Sequence, residues 1–239
     1  MKLRRLLGLL PAIVGVMLGS SPSVRAENSM MVAAPQEGHA GDTIYLSADG
    51  LAPHRRVGIL MACPNWHDQS VWQDQNYRFV KDGPLTDDHG SFRAFPFQVV
   101  TLHGVKSMPL CQIYVQDGTR TFGPDFPAAF TILAPGVQPK AIWRRPVVHV
   151  SATPGRVRSG LFENITIRSW PGAVANVTVL YPGSPALHAK LGINLAGIAT
   201  SHFLVGPTDT SQDVQAQIQV KLRIGSRAGQ GVGHFTIIR

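Results

Sequence analysis

Side chains suited to recognition crowd into one stretch, Asn65-Trp-His-Asp-Gln-Ser-Val-Trp-Gln-Asp-Gln-Asn-Tyr-Arg-Phe. Trp66, Trp72, Tyr77 and Phe79 are interspersed there with His67, Asp68 and Asp74 and with the amides of Gln73, Gln75 and Asn76. Rings flanked by amides and carboxylates combine face stacking with directed hydrogen bonds, which suits a flat aromatic or a carbohydrate-like ligand. The stretch is aperiodic and follows an apolar run ending at Cys63, so it reads as a loop beyond a strand end, where rigid β scaffolds commonly bind. The expected ligand-binding set is therefore Trp66, His67, Asp68, Trp72, Asp74, Tyr77 and Phe79. The alternative is that one or two of these rings simply cover an open sheet edge.

Little else has the spacing of catalysis. There is no Gly-x-Ser-x-Gly elbow, no His-Glu-x-x-His and no glycine-rich phosphate loop. Only Glu27, Glu37 and Glu163 supply glutamate, and nothing fixes the separation of Asp68 and Asp74 at the value glycoside hydrolysis needs. The nine histidines form no close pair at ligand spacing. Asp87-Asp88-His-Gly-Ser is no complete calcium loop, and its carboxylates are expected to bond their own turn. No enzyme activity, catalytic residue, metal site or cofactor is expected.

The two cysteines, Cys63 and Cys111, form an even count in a chain with an export signal, which favours one disulfide. Cys63 keeps the apolar phase of Val57, Ile59 and Met61, and Cys111 that of Ile113 and Val115. Both sulfurs should therefore enter one core.

The elements that must hold these residues occur twice. Asp42-Thr-Ile-Tyr-Leu-Ser-Ala-Asp-Gly has a counterpart in Glu163-Asn-Ile-Thr-Ile-Arg-Ser-Trp-Pro-Gly, and Ala129-Phe-Thr-Ile-Leu in His234-Phe-Thr-Ile-Ile. A duplicated all-strand unit of this size predicts an all-β chain of two tandem immunoglobulin-like antiparallel β-sandwiches. The boundaries read as a secretory signal over 1–26, a loose arm over 27–41, a first domain over 42–133, a Pro-rich linker over 134–146 and a second domain over 147–239. Val214 to Ile224 alternates apolar and polar without a break, which predicts an antiparallel strand with one wet face. No segment keeps a helical period, so helix content should be small.

Lys2, Arg4 and Arg5 precede an apolar run of about 13 residues interrupted by Pro11, followed by Val24-Arg25-Ala26, the pattern of a cleavable bacterial signal. That run is short of the roughly 20 residues a spanning helix needs, so no membrane span is expected in the mature chain. The predicted location is secreted, periplasmic or on the cell envelope. The full chain carries 22 Lys and Arg against 14 Asp and Glu. Four of those bases lie in the signal, leaving a mature excess of about four, which favours solubility and a modest attraction to anionic surface polymers. Arg55-Arg56, Arg144-Arg145 and Arg156 with Arg158 are read as turn or linker residues without interleaved aromatics, so nucleic acid is not an expected partner.

Gly50-Leu-Ala-Pro, the strand ending in Cys63, Thr86-Asp-Asp-His-Gly-Ser-Phe, Pro109-Leu-Cys-Gln-Ile and Ala129-Phe-Thr-Ile resemble the neocarzinostatin-like proteins. These are secreted actinobacterial immunoglobulin-like sandwiches, the best known of which carry an enediyne chromophore. Gly50, Cys63, Asp87, Gly90, Phe92, Cys111 and Phe130 match their pattern. The resemblance covers about 95 residues of the first half and implies the sandwich and secretion. The family's second disulfide and single-domain layout are not present, so it does not extend to chromophore carriage. The second half resembles generic bacterial immunoglobulin-like repeats. The function expected is a secreted, non-catalytic binding protein that recognises a small aromatic or glycan ligand, or a cell-surface component, through the first-domain loops. The rival is a structural or adhesion spacer of the envelope.

Overall fold

A computed structural model describes residues 29–63, 78–80, 83–100, 108–117, 120–206 and 212–238. The predicted signal lies outside them. Its strands are β1 (Met30–Ala34), β2 (Glu37–Gly38), β3 (Thr43–Asp49), β4 (Val57–Ala62), β5 (Arg78–Val80), β6 (Phe92–Gln98), β7 (Met108–Asp117) and β8 (Arg120–Ile132). A single helical turn, α1 (Ala141–Arg144), follows. The second series is β9 (His149–Thr153), β10 (Arg156–Arg158), β11 (Phe162–Arg168), β12 (Val174–Leu180), β13 (Leu187–Gly192), β14 (Ile198–Leu204), β15 (Val214–Ile224) and β16 (Arg227–Ile238). The chain is all-β and sandwich-like, and no helix among the described residues is long and apolar enough to cross a membrane.

The two series pair by the same plan. In the first, β3 lies between β1 and β6, while β7 lies between β4 and β8 with β5 outside β4. A single residue pair, Met30 with Phe126, joins these two layers through β1 and β8. In the second, β11 lies between β9 and β14, and β15 lies between β12 and β16 with β13 outside β12. Even the smallest element recurs. β2 pairs parallel with β8 at Glu37 and Thr131, and β10 pairs parallel with β16 at Arg156 and Thr236. The duplicated Phe-Thr-Ile segment is thus the docking strip for a short crossing strand in both halves. Pro35 and Pro154, each after a cis peptide, precede those crossings. Proline cannot donate to a ladder, so the pairing of β1 and β9 stops there and the chain swings to the other layer.

Each series closes over its own apolar cluster. Ile44, Leu46, Ile59, Met61, Ile113, Phe130 and Ile132 lie in the first, and Ile165, Ile167, Val177, Ile218, Leu222 and Phe235 in the second. The predicted alternation of β15 is met at every position, Val214, Ala216, Ile218, Val220, Leu222 and Ile224 all being buried. The wet face expected of it is there too.

The structure extends one reading of the sequence and corrects another. Within the arm, a short strand near Met31 is compatible with the sequence and is present as β1, and Glu37–Gly38 add β2. Met31 and Ala33 fall in phase with the first core and are buried there. Arg156 and Arg158, read as turn residues, stand on β10. Alternate glycines on β16 lie against the chain that enters β9. A Cβ on Gly229 or Gly231 would come 2.3 or 2.6 Å from the carbonyl oxygens of Pro146 and Val148. The absence of side chains there lets the chain entering β9 lie directly on β16.

Candidate functional site

Trp66, His67, Asp68, Trp72, Asp74 and Tyr77 lie outside the described residues. Phe79 stands on β5, its backbone paired with Leu60 of β4. What the structure describes is the stem of this loop. β4 is buried at every position: Val57, Ile59 and Met61 face the first core, and Gly58, Leu60 and Ala62 on the opposite face are covered as well. At its end Cys63 and Cys111 form a disulfide with Cα atoms 4.1 Å apart, both fully buried, as strand parity predicts. The bond joins adjacent strands, β4 and β7, within one sheet.

The return from the loop is held equally closely. Val57 N–H donates to Pro84 O at 3.0 Å, and the Thr86 hydroxyl donates to Ala52 O at 2.7 Å while accepting from Arg55 N–H at 2.9 Å. The Asp87 carboxylate accepts from the His89 and Ser91 N–H groups, both at 2.9 Å. Partial burial opposes its ionisation, but these donors, with the charges of His89 and Arg93, outweigh it and hold its pKa below the ordinary value. Asp87 therefore serves its own turn. Asn194 does the same in the second half, accepting from Ile198 N–H at 2.9 Å. Among the described residues no three His, Cys, Asp or Glu side chains form a group that could hold a metal.

A second constellation, not foreseen from the sequence, joins the halves. Tyr45 and Ser47 occupy the outward phase of β3, yet both are buried. Tyr45 packs into the cluster of the second half with Ala34, and Ala94 packs against it. Its phenolic oxygen accepts from Ser226 N–H at 3.1 Å and shares a hydrogen bond with Ser226 Oγ at 3.2 Å. The Ser226 hydroxyl lowers the phenol pKa, with help from Ser226 N–H and the Arg227 charge, against burial, which raises it. On either side the fit is close. A Cβ on Gly172 would lie 2.1 Å from Ser47 Oγ, and one on Gly225, whose φ is +53°, would lie 2.2 Å from the Tyr45 ring.

The connecting segment is tied to both halves. Glu37 accepts from Lys140 N–H, and the His39 ring is 2.9 Å from Val137 O. On the other side the Trp170 indole donates to Ile142 O at 2.8 Å and packs against Trp143 at 5.9 Å, with the Arg227 guanidinium 5.6 Å from the Trp170 ring. The signal available in the sequence was an aromatic residue, Tyr45, in a phase that should face water.

Glu163 is a third finding. It shares the parity of Ile165 and Ile167 and is fully buried. One carboxylate oxygen accepts from Gly155 N–H at 3.3 Å, and the other has no hydrogen-bond partner among the described residues. Burial raises its pKa above the ordinary value, opposed by the N–H groups of Gly155 and Asn164.

No family model matches the chain, and no curated protein does. Solved structures similar to it include a tetra-tandem repeat in the extending region of a large adhesion protein, at 11% identity and TM-score 0.32 over 88% of this chain and 49% of that one. Alpha-2-macroglobulin of Salmonella, reacted with methylamine, is 13% identical with TM-score 0.34 over 88% of this chain and 14% of that one. Escherichia coli alpha-2-macroglobulin in its native conformation is 12% identical with TM-score 0.33, over 89% and 14%. The chain thus spans about half or less of each, and none of these likenesses bears on what it does.

Proposed function

We propose that this is an exported, non-catalytic protein of the cell envelope, built from two immunoglobulin-like sandwiches and acting as a structural or adhesion element of fixed geometry. The observation that carries the reading is the buried contact of Tyr45 and Ser47 with the turns at Gly172 and Ser226. Side chains that would otherwise face water are committed to holding one half against the other, which is what a spacer requires and a flexible pair of modules does not. Nuclear magnetic relaxation of the mature protein should give one rotational correlation time for both halves. Independent tumbling of the halves would reject this reading.

A second reading is favoured by the stem of the loop. The disulfide at Cys63 and the anchored return at Val57 and Thr86 give the stretch from Trp66 to Phe79 a rigid base. Loops on such bases are where sandwiches bind. On this reading Trp66, His67, Asp68, Trp72, Asp74, Tyr77 and Phe79 contact a small aromatic or glycan ligand or a surface component. Replacing Trp72 by Ala should then abolish binding in a screen of glycans and aromatic natural products while leaving the melting temperature near that of the parent. A large fall in melting temperature with no ligand found would leave the spacer reading alone.

A further inference from the structure

The five strands β10, β12, β13, β15 and β16 contain six Lys and Arg residues and no Asp or Glu. They make up one sheet, and its outward face is largely polar, with Val232 an exposed apolar side chain opposite Gln219. Strand register places its side chains in rows. Lys190, Asn176, Lys221 and Gln230 stand directly opposite one another across β13, β12, β15 and β16, and all four are exposed. Arg223 follows Lys221 on the same face of β15, and Gln219 precedes it. The Gln219 side-chain N–H donates to the side-chain oxygen Oε1 of Gln217 at 2.9 Å, which orients the two amides along the strand.

Among the described residues most of the charge on this face is uncompensated. Arg156 at its margin pairs with Asp213 at 3.1 Å. Lys190, Lys221 and Arg223 have no carboxylate within ion-pair distance among the described residues. A solvated sheet face ordinarily mixes both signs of charge. This one instead sets cations among amides. Neighbouring strands lie about 4.8 Å apart, so Lys190 and Lys221 are separated by roughly 10 Å across Asn176.

From this placement we infer that the outward face of the second half's larger sheet binds an acidic polysaccharide. The cations meet its anionic groups, and the amides of Asn176, Gln219 and Gln230 meet its hydroxyls, each amide offering both donors and an acceptor. No Phe, Tyr or Trp stands in these rows, and the His188 ring in the Gln219 row is hydrogen-bonded to Thr178 at 3.2 Å, so the face lacks the run of stacking rings that single-stranded nucleic acid uses. The site is separate from the Trp66–Phe79 loop and does not depend on it.

Binding of the full mature chain to alginate, a carboxylated polysaccharide, tests the inference, with dextran as the neutral counterpart. The parent should bind alginate and not dextran, with affinity falling as salt is raised. Combining Lys190→Gln, Lys221→Gln and Arg223→Gln should weaken binding by about tenfold or more. Arg55→Gln, an exposed site in the first half, should change it by less than about twofold. Lys221→Gln alone should show part of the loss, so the result does not rest on the triple variant folding. Trp72→Ala should leave alginate binding intact, which separates this site from the loop. Failure of the parent to bind alginate, equal losses in Arg55→Gln, or tighter binding to duplex DNA or anionic vesicles would each overturn the inference.

Discussion

Glu163 is buried through its parity with Ile165 and Ile167, and among the described residues only one of its oxygens has a partner. Its pKa is raised in the folded state from an ordinary 4.5. A raised carboxyl pKa means that its contribution to stability is complete below the unfolded value and is lost as pH rises through the folded value. Glu163→Gln removes that dependence. The melting temperature of the variant minus that of the parent should therefore grow between pH 4.5 and pH 7 in calorimetry, and a difference independent of pH would reject the buried ionisation. Tyr45 tests the contact between halves in the same way. Tyr45→Phe keeps the ring but removes the oxygen that meets Ser226, leaving its N–H without that acceptor. The cost should be about 1–3 kcal/mol by denaturant unfolding, and no measurable change would mean that water replaces the phenol there.

The strands themselves were the most legible elements, because a buried face imposes a period of two. β15 could be read residue by residue, and the disulfide followed from two such phases. Its removal by Cys63→Ala with Cys111→Ala opens a loop with a sequence separation of 48. By the chain-entropy estimate that should cost about 4 kcal/mol, and a loss under about 1 kcal/mol would show that packing alone holds β4 to β7. What the sequence did not reveal are contacts that depend on a neighbour rather than on a period. Tyr45 and Ser47 follow the rule for an exposed phase, and only the turns at Gly172 and Gly225 make that phase an interface. The glycines at 229, 231 and 233 likewise mark where the chain from Pro146 to Val150 approaches β16, a contact no period of the strand announces. For the loop from Trp66 to Tyr77, composition suggested recognition but contained no period from which a geometry could be derived.

At the scale of the whole molecule, the segment 134–146 decides how separable the halves are. Its three prolines suit a spacer, and the repetition of the strand plan predicts that 147–239 folds alone. The structure adds that the second half ends short of its own cover at that boundary. Trp170 is buried against Trp143, donates its indole N–H to Ile142 O, and lies under Arg227, whose guanidinium also donates to the carbonyls of Trp143 and Arg144. A fragment of residues 147–239 loses all of these partners except Arg227. It should keep a dispersed amide spectrum, because the cluster around Ile165, Ile218 and Leu222 is intact. A fragment of residues 134–239 restores the ring contact and the indole acceptor. Aromatic pairs contribute about 0.5–1.5 kcal/mol beyond their area, and an unmet buried donor costs about 1–3 kcal/mol. The longer fragment should therefore be more stable by roughly 2–4 kcal/mol in urea unfolding. Equal stability would show that the connecting segment is a passive tether. A collapsed spectrum for both fragments, with the intact protein folded, would show that the second half needs Tyr45 and β3 to complete it.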